Sequence, residues 1–336
     1  MSPASLAVTM GEPAGIGGEI ALKAWTARKH AGPTFFMIDS VKRLSYLADI
    51  LKIDVAFAPI ENASAAAHVF KTALPVLEIP DTQQITFSLG RPGPATAKAV
   101  IASIDMAVKL VREKQAAGVV TNPIQKSVLQ QAGFAFPGHT EYLGHLAGGL
   151  TSVMMLAVER PTPPLRVVPV TVHEPLRKVA ALLTTEAIIH CGRITAKALL
   201  DDFGIPEPRL AVAGLNPHAG EDGKIGDEET RIIAPAIAQL RAEGIAIRGP
   251  VPADTLFHEQ ARATYDAVLC MYHDQALVPL KTLDFAGGVN VTLGLPFVRT
   301  SPDHGTALDI AAQGVADPTS FLAALDLAHR IAARRR

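Results

Sequence analysis

The chain has 336 residues, of which 49% are apolar and 19% are charged, and its formal net charge is −1. The basic residues are scattered except at the terminal RIAARRR, which argues against a nucleic-acid-binding or membrane-binding surface. Two cysteines, Cys191 and Cys270, are too few for a disulfide framework and favour a reducing compartment. Because no apolar run approaches the roughly 18 residues of a membrane span, and no basic segment precedes one, we expect a cytoplasmic protein.

Short runs rich in Val, Ile and Leu alternate with alanine-rich helical stretches, a pattern typical of βα units that build a mainly parallel sheet. In the first half, the predicted strands and following helices are LAVTM with GGEIALKAW, TFFMID with SVKRLSYLADIL, and AAGVVTNP with IQKSVLQQAG. In the second half, VMMLAV precedes LRVVPVTVH with TTEAIIHCGRITAKALLDDF, RLAVAGL with DEETRIIAPAIAQLRAEG, and YDAVLCMYH with DQALVPLKTL. The length predicts one large or two medium α/β domains, and no flexible linker marks a boundary.

Three histidines, His173, His218 and His273, stand at or just past the ends of the runs LRVVPVTVH, RLAVAGLNPH and YDAVLCMYH. The carboxyl ends of parallel strands are where open α/β sheets bind ligands, so this placement predicts a metal site with three imidazoles. The spacing is too long for a zinc finger, and a site assembled by the fold could keep a coordination position open for substrate. The alternative is three separate core or capping histidines. Cys270 precedes His273 by three residues, and we interpret it as core packing rather than as a ligand.

Two glycine-containing loops lie between strands and helices. TMGEPAGIGGEI is neither a Rossmann G-x-G-x-x-G nor a P-loop, but its backbone N–H groups could hold an anion at the start of the following helix. DHGTALDIAAQG near the C-terminus has the same property. Either loop can also be a tight turn without a ligand, so neither specifies a function alone.

The combination of these and other motifs is more specific. GEPAGIGGEI, TNPIQK, PGHTEYL, NPHAGEDG, YHDQALVPLK and NVTLGLPFVRTSPDHGTALDIA follow one another in this order. Together they resemble the 4-hydroxythreonine-4-phosphate dehydrogenase family of pyridoxal phosphate biosynthesis, within the wider isocitrate and isopropylmalate dehydrogenase superfamily. Two departures from the family pattern are Glu12, where Asp is usual, and Gly18, where Pro is usual.

This resemblance implies two α/β/α domains with mainly parallel sheets and an interdomain cleft. The first domain would comprise residues 1–130 plus 285–336, with the cofactor loop, and the second residues 131–284, with the metal ligands and dimer contacts. The family is homodimeric, with active sites shared between subunits, so the resemblance also implies a homodimer.

The resemblance further assigns roles to individual residues. The family's metal ligands fall on His173, His218 and His273, the trio that the strand ends indicate independently, with Zn, Co or Mg as the divalent metal. The remaining family positions fall on His139, Thr140, Lys281, Asn290 and Arg299 for substrate, and on His304, Gly305, Thr306 and Asp309 for NAD or NADP. Lys281 and Arg299 suit a phosphate ester because they supply positive charge and hydrogen-bond donors. The catalytic base is Asp254 or Lys281, with Asp274 as a further possibility.

The implied reaction is the metal-dependent oxidation of 4-phosphohydroxy-L-threonine by NAD(P)⁺ to 2-amino-3-oxo-4-phosphooxybutanoate. Its decarboxylation gives 3-amino-2-oxopropyl phosphate for pyridoxine 5′-phosphate biosynthesis. A paralogue that oxidises erythronate or threonate 4-phosphate would share the metal and phosphate contacts. A phosphate acyltransferase of related fold would lack the three histidines, and a non-catalytic metal protein would make the cofactor loop a coincidence.

Overall fold

The computed structural model describes residues 5–80, 86–160 and 162–335. The chain divides into two compact units. Unit 1 contains residues 1–152 and 295–334, and unit 2 contains residues 153–294. Both alternate strands with helices, which confirms the predicted α/β class with mainly parallel pairing. Among the described residues, no helix has the length and apolar character needed to cross a membrane.

Unit 1 contains a parallel sheet in the order β3-β4-β2-β1-β5-β12. Its strands are β1 (Leu6–Thr9), β2 (Phe35–Asp39), β3 (Phe57–Ile60), β4 (Leu74–Glu78), β5 (Val119–Val120) and β12 (Arg299–Pro302). Its helices are α1 (Gly17–Arg28), α2 (Val41–Leu51), α3 (Ala66–Val69), α4 (Ala97–Arg112), α5 (Lys126–Gln131), α6 (His139–Leu146) and α12 (Thr319–Arg334). Every residue of β1 and β2 is buried, which is expected where helices cover both faces of a parallel sheet.

Unit 2 contains strands in the order β11-β6-β7-β10-β8-β9. The strands are β6 (Val153–Val158), β7 (Leu165–Pro169), β8 (Arg209–Ala213), β9 (Ala246–Val251), β10 (Ala267–Cys270) and β11 (Val289–Leu293). The helices are α7 (Leu176–Leu182), α8 (Thr185–Asp201), α9 (Ala234–Ala242), α10 (Glu259–Arg262) and α11 (His273–Leu283). β7, β10, β8 and β9 are parallel, whereas β6 is antiparallel to both β7 and β11. The connection from β6 to β7 spans only residues 159–164, which is too short for the crossover that a parallel pair would need.

Candidate functional site

The carboxyl ends of three adjacent parallel strands in unit 2 carry the three predicted histidines. β7 ends four residues before His173, β8 ends five residues before His218, and His273 is the first residue of α11 after β10. The imidazole rings of His173 and His273 lie with their centroids 5.5 Å apart. The sheet order β7-β10-β8 therefore brings these chain segments to the same edge, as the sequence predicted.

Backbone and side-chain hydrogen bonds tie the three histidine-bearing segments together. The hydroxyl of Thr171 donates to the carbonyl of Met271 at 2.7 Å, which joins the His173 segment to the His273 segment. The buried amide of Gln275 accepts from the N–H of Met271 at 2.6 Å and donates to the carbonyl of Gly214 at 2.7 Å. Gln275 thereby connects the His273 segment to the segment that leads into His218.

The loop around His218 has a strained backbone that Glu229 holds in place. Five consecutive residues, 218–222, have positive φ angles, and four of them are not glycine. Such conformations persist only where the surroundings determine them. One carboxylate oxygen of the buried Glu229 accepts from the N–H groups of Leu215 and Asn216 at 2.8 and 2.7 Å, and the other accepts from the Asn216 amide at 2.9 Å.

The donor chemistry of His273 suits a metal ion. Its Nδ1 lies 2.7 Å from a carboxylate oxygen of Asp274, and because a carboxylate can only accept, Nδ1 carries the hydrogen. Nε2 then presents its lone pair, the arrangement by which a carboxylate orients a metal-binding imidazole. Within residues 5–80, 86–160 and 162–335, however, no group of three or more His, Cys, Asp or Glu side chains is placed to hold a metal ion. The structure thus brings His173 and His273 together without completing the trio.

The other predicted residues of unit 2 differ in their burial and in their contacts. Cys270 is fully buried in a core cluster, and burial raises the pKa of its thiol. Asp254 is exposed in the turn 253–255, which packs against the loop 217–223. The ammonium of Lys281 lies 5.1 Å from the ring centroid of Phe285. The Oδ1 atom of Asn290, on β11, is buried without a hydrogen-bond partner among the described residues, so it can accept a bond from a ligand.

Unit 1 places Arg299 and His139 close enough to influence each other. Arg299 begins β12, is 3% exposed, and donates from Nη2 and Nε to the hydroxyl of Thr121 at 2.6 and 3.2 Å. Burial lowers the pKa of Arg299 to about 10, an effect that the Glu141 carboxylate opposes. His139 begins α6, and burial, followed by the charges of Arg299 and Lys126, holds its pKa well below the usual value.

His139 is therefore neutral at pH 7, and its buried Nε2 has no partner within the described residues. Its neighbour Thr140 is half-buried, and its carbonyl accepts from the hydroxyl of Ser152 at 3.5 Å. A neutral imidazole beside a buried guanidinium offers an anionic group one positive charge and one uncharged polar partner.

The two glycine-containing loops of unit 1 contact each other directly. The N–H of Ile16 donates to the carbonyl of Thr306 at 3.1 Å, and a Cβ added at Gly15 would lie only 2.7 Å from that carbonyl oxygen. Gly15 is thus required by the close approach of the second loop. The hydroxyl of Thr306 donates to the Gln125 side chain at 3.1 Å.

His304 in the second loop can offer a hydrogen-bond acceptor. Its Nδ1 lies 3.0 Å from the carbonyl of Gly305, so Nδ1 carries the hydrogen and Nε2 is the acceptor. That Nε2 is buried without a partner in the described part of the chain. Open space surrounds the position where Gly305 would carry a Cβ, and Asp309 is exposed. A buried unpaired acceptor beside open space suits the amino group of an adenine ring, so these residues fit a dinucleotide.

The two positions that depart from the family pattern have distinct environments. Glu12 is 1% exposed, and burial raises the pKa of its carboxyl although it accepts a hydrogen bond from the N–H of Ala14. At Gly18, an added Cβ would lie 2.5 Å from a methyl group of Leu47 and 3.2 Å from the guanidinium of Arg43, which pairs with Asp39. The absence of a side chain at position 18 therefore makes room for α2.

Sequence reasoning missed Gln275, Glu229 and Thr121, which support the predicted site residues. Gln275 and Thr121 stand inside the motifs YHDQALVPLK and TNPIQK, so proximity to a candidate residue was an available signal. Glu229 comes several residues after the strained loop 218–222 and lies outside every quoted family motif. Only the folded structure reveals its three hydrogen bonds to Leu215 and Asn216.

Comparisons with known proteins identify the family to which the chain belongs. Residues 32–328 fit the family described as pyridoxal phosphate biosynthetic protein PdxA. The 4-hydroxythreonine-4-phosphate dehydrogenase of Caulobacter vibrioides is 53% identical over 100% of this chain and 99% of its own length, and that of Methylorubrum populi is 54% identical over 98% and 95%. The crystal structure of 4-hydroxythreonine-4-phosphate dehydrogenase from Klebsiella pneumoniae superposes with a TM-score of 0.87, at 37% identity over 98% of this chain and 99% of that one. The chain therefore belongs to the PdxA family of 4-hydroxythreonine-4-phosphate dehydrogenases.

Proposed function

We propose that this protein catalyses the metal-dependent oxidation of 4-phosphohydroxy-L-threonine by NAD⁺ or NADP⁺. The product, 2-amino-3-oxo-4-phosphooxybutanoate, then loses CO₂ to give 3-amino-2-oxopropyl phosphate for pyridoxine 5′-phosphate biosynthesis. The observation that carries the proposal is the convergence of the His173, His218 and His273 segments on one edge of a parallel sheet in a chain of this family. The two unpaired, buried cysteines favour the cytoplasm as its location.

His173, His218 and His273 are the proposed ligands of a divalent metal, with Zn²⁺, Co²⁺ or Mg²⁺ as the alternatives. His173 and His273 are already close, and Asp274 fixes the tautomer that leaves Nε2 of His273 available. Because the described residues of one chain do not place three such ligands together, we infer that the set is completed in a homodimer whose subunits share the site. The bound metal supplies a Lewis acid that acidifies the C3 hydroxyl of the substrate, and the dinucleotide supplies the hydride acceptor.

The proposed substrate contacts are His139, Thr140 and Arg299 in unit 1, and Lys281 and Asn290 in unit 2. Arg299, held rigidly by Thr121, provides a preorganised guanidinium for the phosphate ester. His139 remains neutral and so can donate or accept without adding charge. The unpaired Oδ1 of Asn290 accepts from a hydroxyl or amino group, and Lys281 adds a second cation. Positioning by such groups can lower the barrier by several kcal/mol.

The proposed contacts for NAD or NADP are His304, Gly305, Thr306 and Asp309. His304 would accept from the adenine through Nε2, and the space beside Gly305 would let the dinucleotide approach the backbone. For the catalytic base we propose Asp254 or Lys281, both in unit 2. Asp254 is exposed beside the loop of His218 and can exchange a proton with water.

The test is NADH and NADPH formation from 4-phosphohydroxy-L-threonine, with and without a chelator, and with erythronate 4-phosphate as the control substrate. We expect metal-dependent turnover on the threonine derivative alone. Turnover of erythronate 4-phosphate alone would show that the enzyme catalyses the paralogous reaction instead. Turnover of neither substrate, by an enzyme loaded with metal, would refute the proposed reaction.

A further inference from the structure

Two side chains on α1, Glu19 and Lys23, are bonded to the end of the loop that carries the proposed dinucleotide contacts. The ammonium of Lys23 donates to the carbonyls of Gly314 and Ala316 at 2.8 and 2.7 Å, and to a carboxylate oxygen of Glu19 at 2.7 Å. That same oxygen accepts from the N–H of Ala316 at 2.9 Å. Three of these four bonds join residues that are almost 300 positions apart in the sequence, and the fourth joins Lys23 to Glu19 within α1.

The environment of the pair makes these bonds effective. Glu19 is 1% exposed, so its carboxylate is removed from water and depends on its protein partners. An ammonium group has three N–H donors, and Lys23 uses all three on Glu19, Gly314 and Ala316. Lys23 therefore has no donor left for a phosphate, and it can affect a ligand only through the loop that it holds.

The loop is fixed at both ends and strained between them. At its start, the N–H of Asp303 donates to the hydroxyl of Ser320 at 2.9 Å, and the carbonyl of Thr306 accepts from Ile16. Between the two ends, Ala307 and Ala312 have φ angles of 43° and 74°. The left-handed conformation is unfavourable for alanine, so a loop with two such residues needs external bonds to keep its conformation.

We propose that Glu19 and Lys23 are positioning residues for dinucleotide binding, which hold residues 304–309 in the binding conformation by anchoring residues 314–316. This inference rests on the proposed function, because it takes NAD or NADP as the ligand of that loop. It adds a requirement on α1, a helix that contributes none of the proposed contacts. Loss of the anchor weakens dinucleotide binding and leaves the phosphorylated substrate and the metal unaffected.

The experiment is a fluorescence titration of the full-length protein with NADH and with NADPH, comparing wild type with Lys23→Met. The matched control is Arg28→Met, which removes from the same helix a cation that pairs with Asp326 on α12 at 3.4 Å. We expect Lys23→Met to raise the Kd of the dinucleotide about tenfold, and Arg28→Met to change it less than about twofold. Lys23→Arg, which keeps a cation able to reach both carbonyls, should recover most of the affinity.

Steady-state kinetics provides a second readout. Lys23→Met should raise KM for the dinucleotide, while kcat at saturating dinucleotide and KM for the phosphorylated substrate stay within about twofold of wild type. If Lys23→Met fails to fold, judged by circular dichroism, Glu19→Gln replaces it, with an expected rise in Kd of about threefold because a neutral amide accepts a weaker bond.

The outcomes separate this inference from the function on which it rests. Wild-type protein that binds both dinucleotides no better than buffer controls overturns the cofactor assignment and this inference together. Wild-type binding with an unchanged Kd in Lys23→Met overturns the positioning role alone. An equal loss of affinity in Arg28→Met also overturns it, because the effect would then follow from charge on α1 rather than from the loop anchor.

Discussion

Replacing Glu229 by Gln should displace His218 and weaken metal binding. The carboxylate accepts two backbone N–H bonds at 2.8 and 2.7 Å, and it supports a loop with four left-handed residues other than glycine. Hydrogen bonds to a charged group contribute about 1.5–3 kcal/mol each, and a neutral amide retains about half of that strength. We therefore expect the loop to lose about 2–3 kcal/mol, a drop in metal affinity of roughly 30- to 150-fold if binding requires the ordered loop.

The assay is competition for Zn²⁺ between the protein and a chromophoric chelator, with the wild-type protein measured in parallel. Glu228→Gln is the matched control, because Glu228 is the adjacent glutamate and accepts from the half-buried side-chain amide of Asn216 at 2.7 Å. Metal affinity in Glu229→Gln equal to that in Glu228→Gln would refute the argument that Glu229 positions His218. Thermal unfolding of both variants without metal would show whether the loss is confined to the loop.

Three further predictions follow from the structure. Folding lowers the pKa of His139, so protonation of this side chain favours the unfolded state. The free energy of unfolding is therefore retained above about pH 6.5 and falls as the pH decreases below that value. In urea unfolding between pH 7 and 5, His139→Gln should lose less stability than wild type or His145→Gln; equal slopes would contradict the assignment. Gln275→Met leaves two buried backbone groups without this partner and should lower the free energy of unfolding in urea by about 2–4 kcal/mol. The same substitution at the exposed Gln239 should leave it almost unchanged, and equal losses in the two variants would contradict this role of Gln275. Gly15→Ala should raise the Kd of NADH at least about tenfold, because the added Cβ would clash with the Thr306 carbonyl. Gly93→Ala should leave the Kd unchanged, because nothing lies within 4 Å of a Cβ added there. An unchanged Kd in Gly15→Ala would contradict the contact between the two loops.

The sequence predicted those features that depend on local pattern. The strands and helices quoted from their apolar runs all form, although β7 and β10 end at Pro169 and Cys270, before the histidines that follow them. The alternation of short β-branched runs with helical stretches was sufficient to predict strands such as β1, β2 and β10, because these strands are buried on both faces. The antiparallel placement of β6 was not predicted, since its run has the same composition as the parallel strands of unit 2 and only the short connection to β7 distinguishes it.

The supporting contacts of the site were not predictable, because their partners are distant in sequence. Gln275 bonds to Gly214, 61 positions away, and the carbonyl of Thr306 approaches Gly15 across most of the chain. Nothing in the local sequence marks a glutamine as a bridge between two strand ends. A motif indicates that a residue is near the chemistry, whereas its role depends on which segments the sheet order brings together.

Glu19 and Lys23 illustrate the same limit most clearly. Their spacing of four residues on a helix predicts a solvent-exposed ion pair that contributes about 0.5 kcal/mol. In the structure Glu19 is buried, and the pair bonds to the backbone of a loop near the opposite end of the chain. The difference arises because β12 and α12 return the C-terminal segment to unit 1, where α1 contacts α12. The spacing of an i, i+4 pair on the first helix of an α/β unit therefore does not decide whether the pair is exposed or buried. That depends on the segment that covers the helix, which here is the C-terminal segment with the proposed cofactor loop.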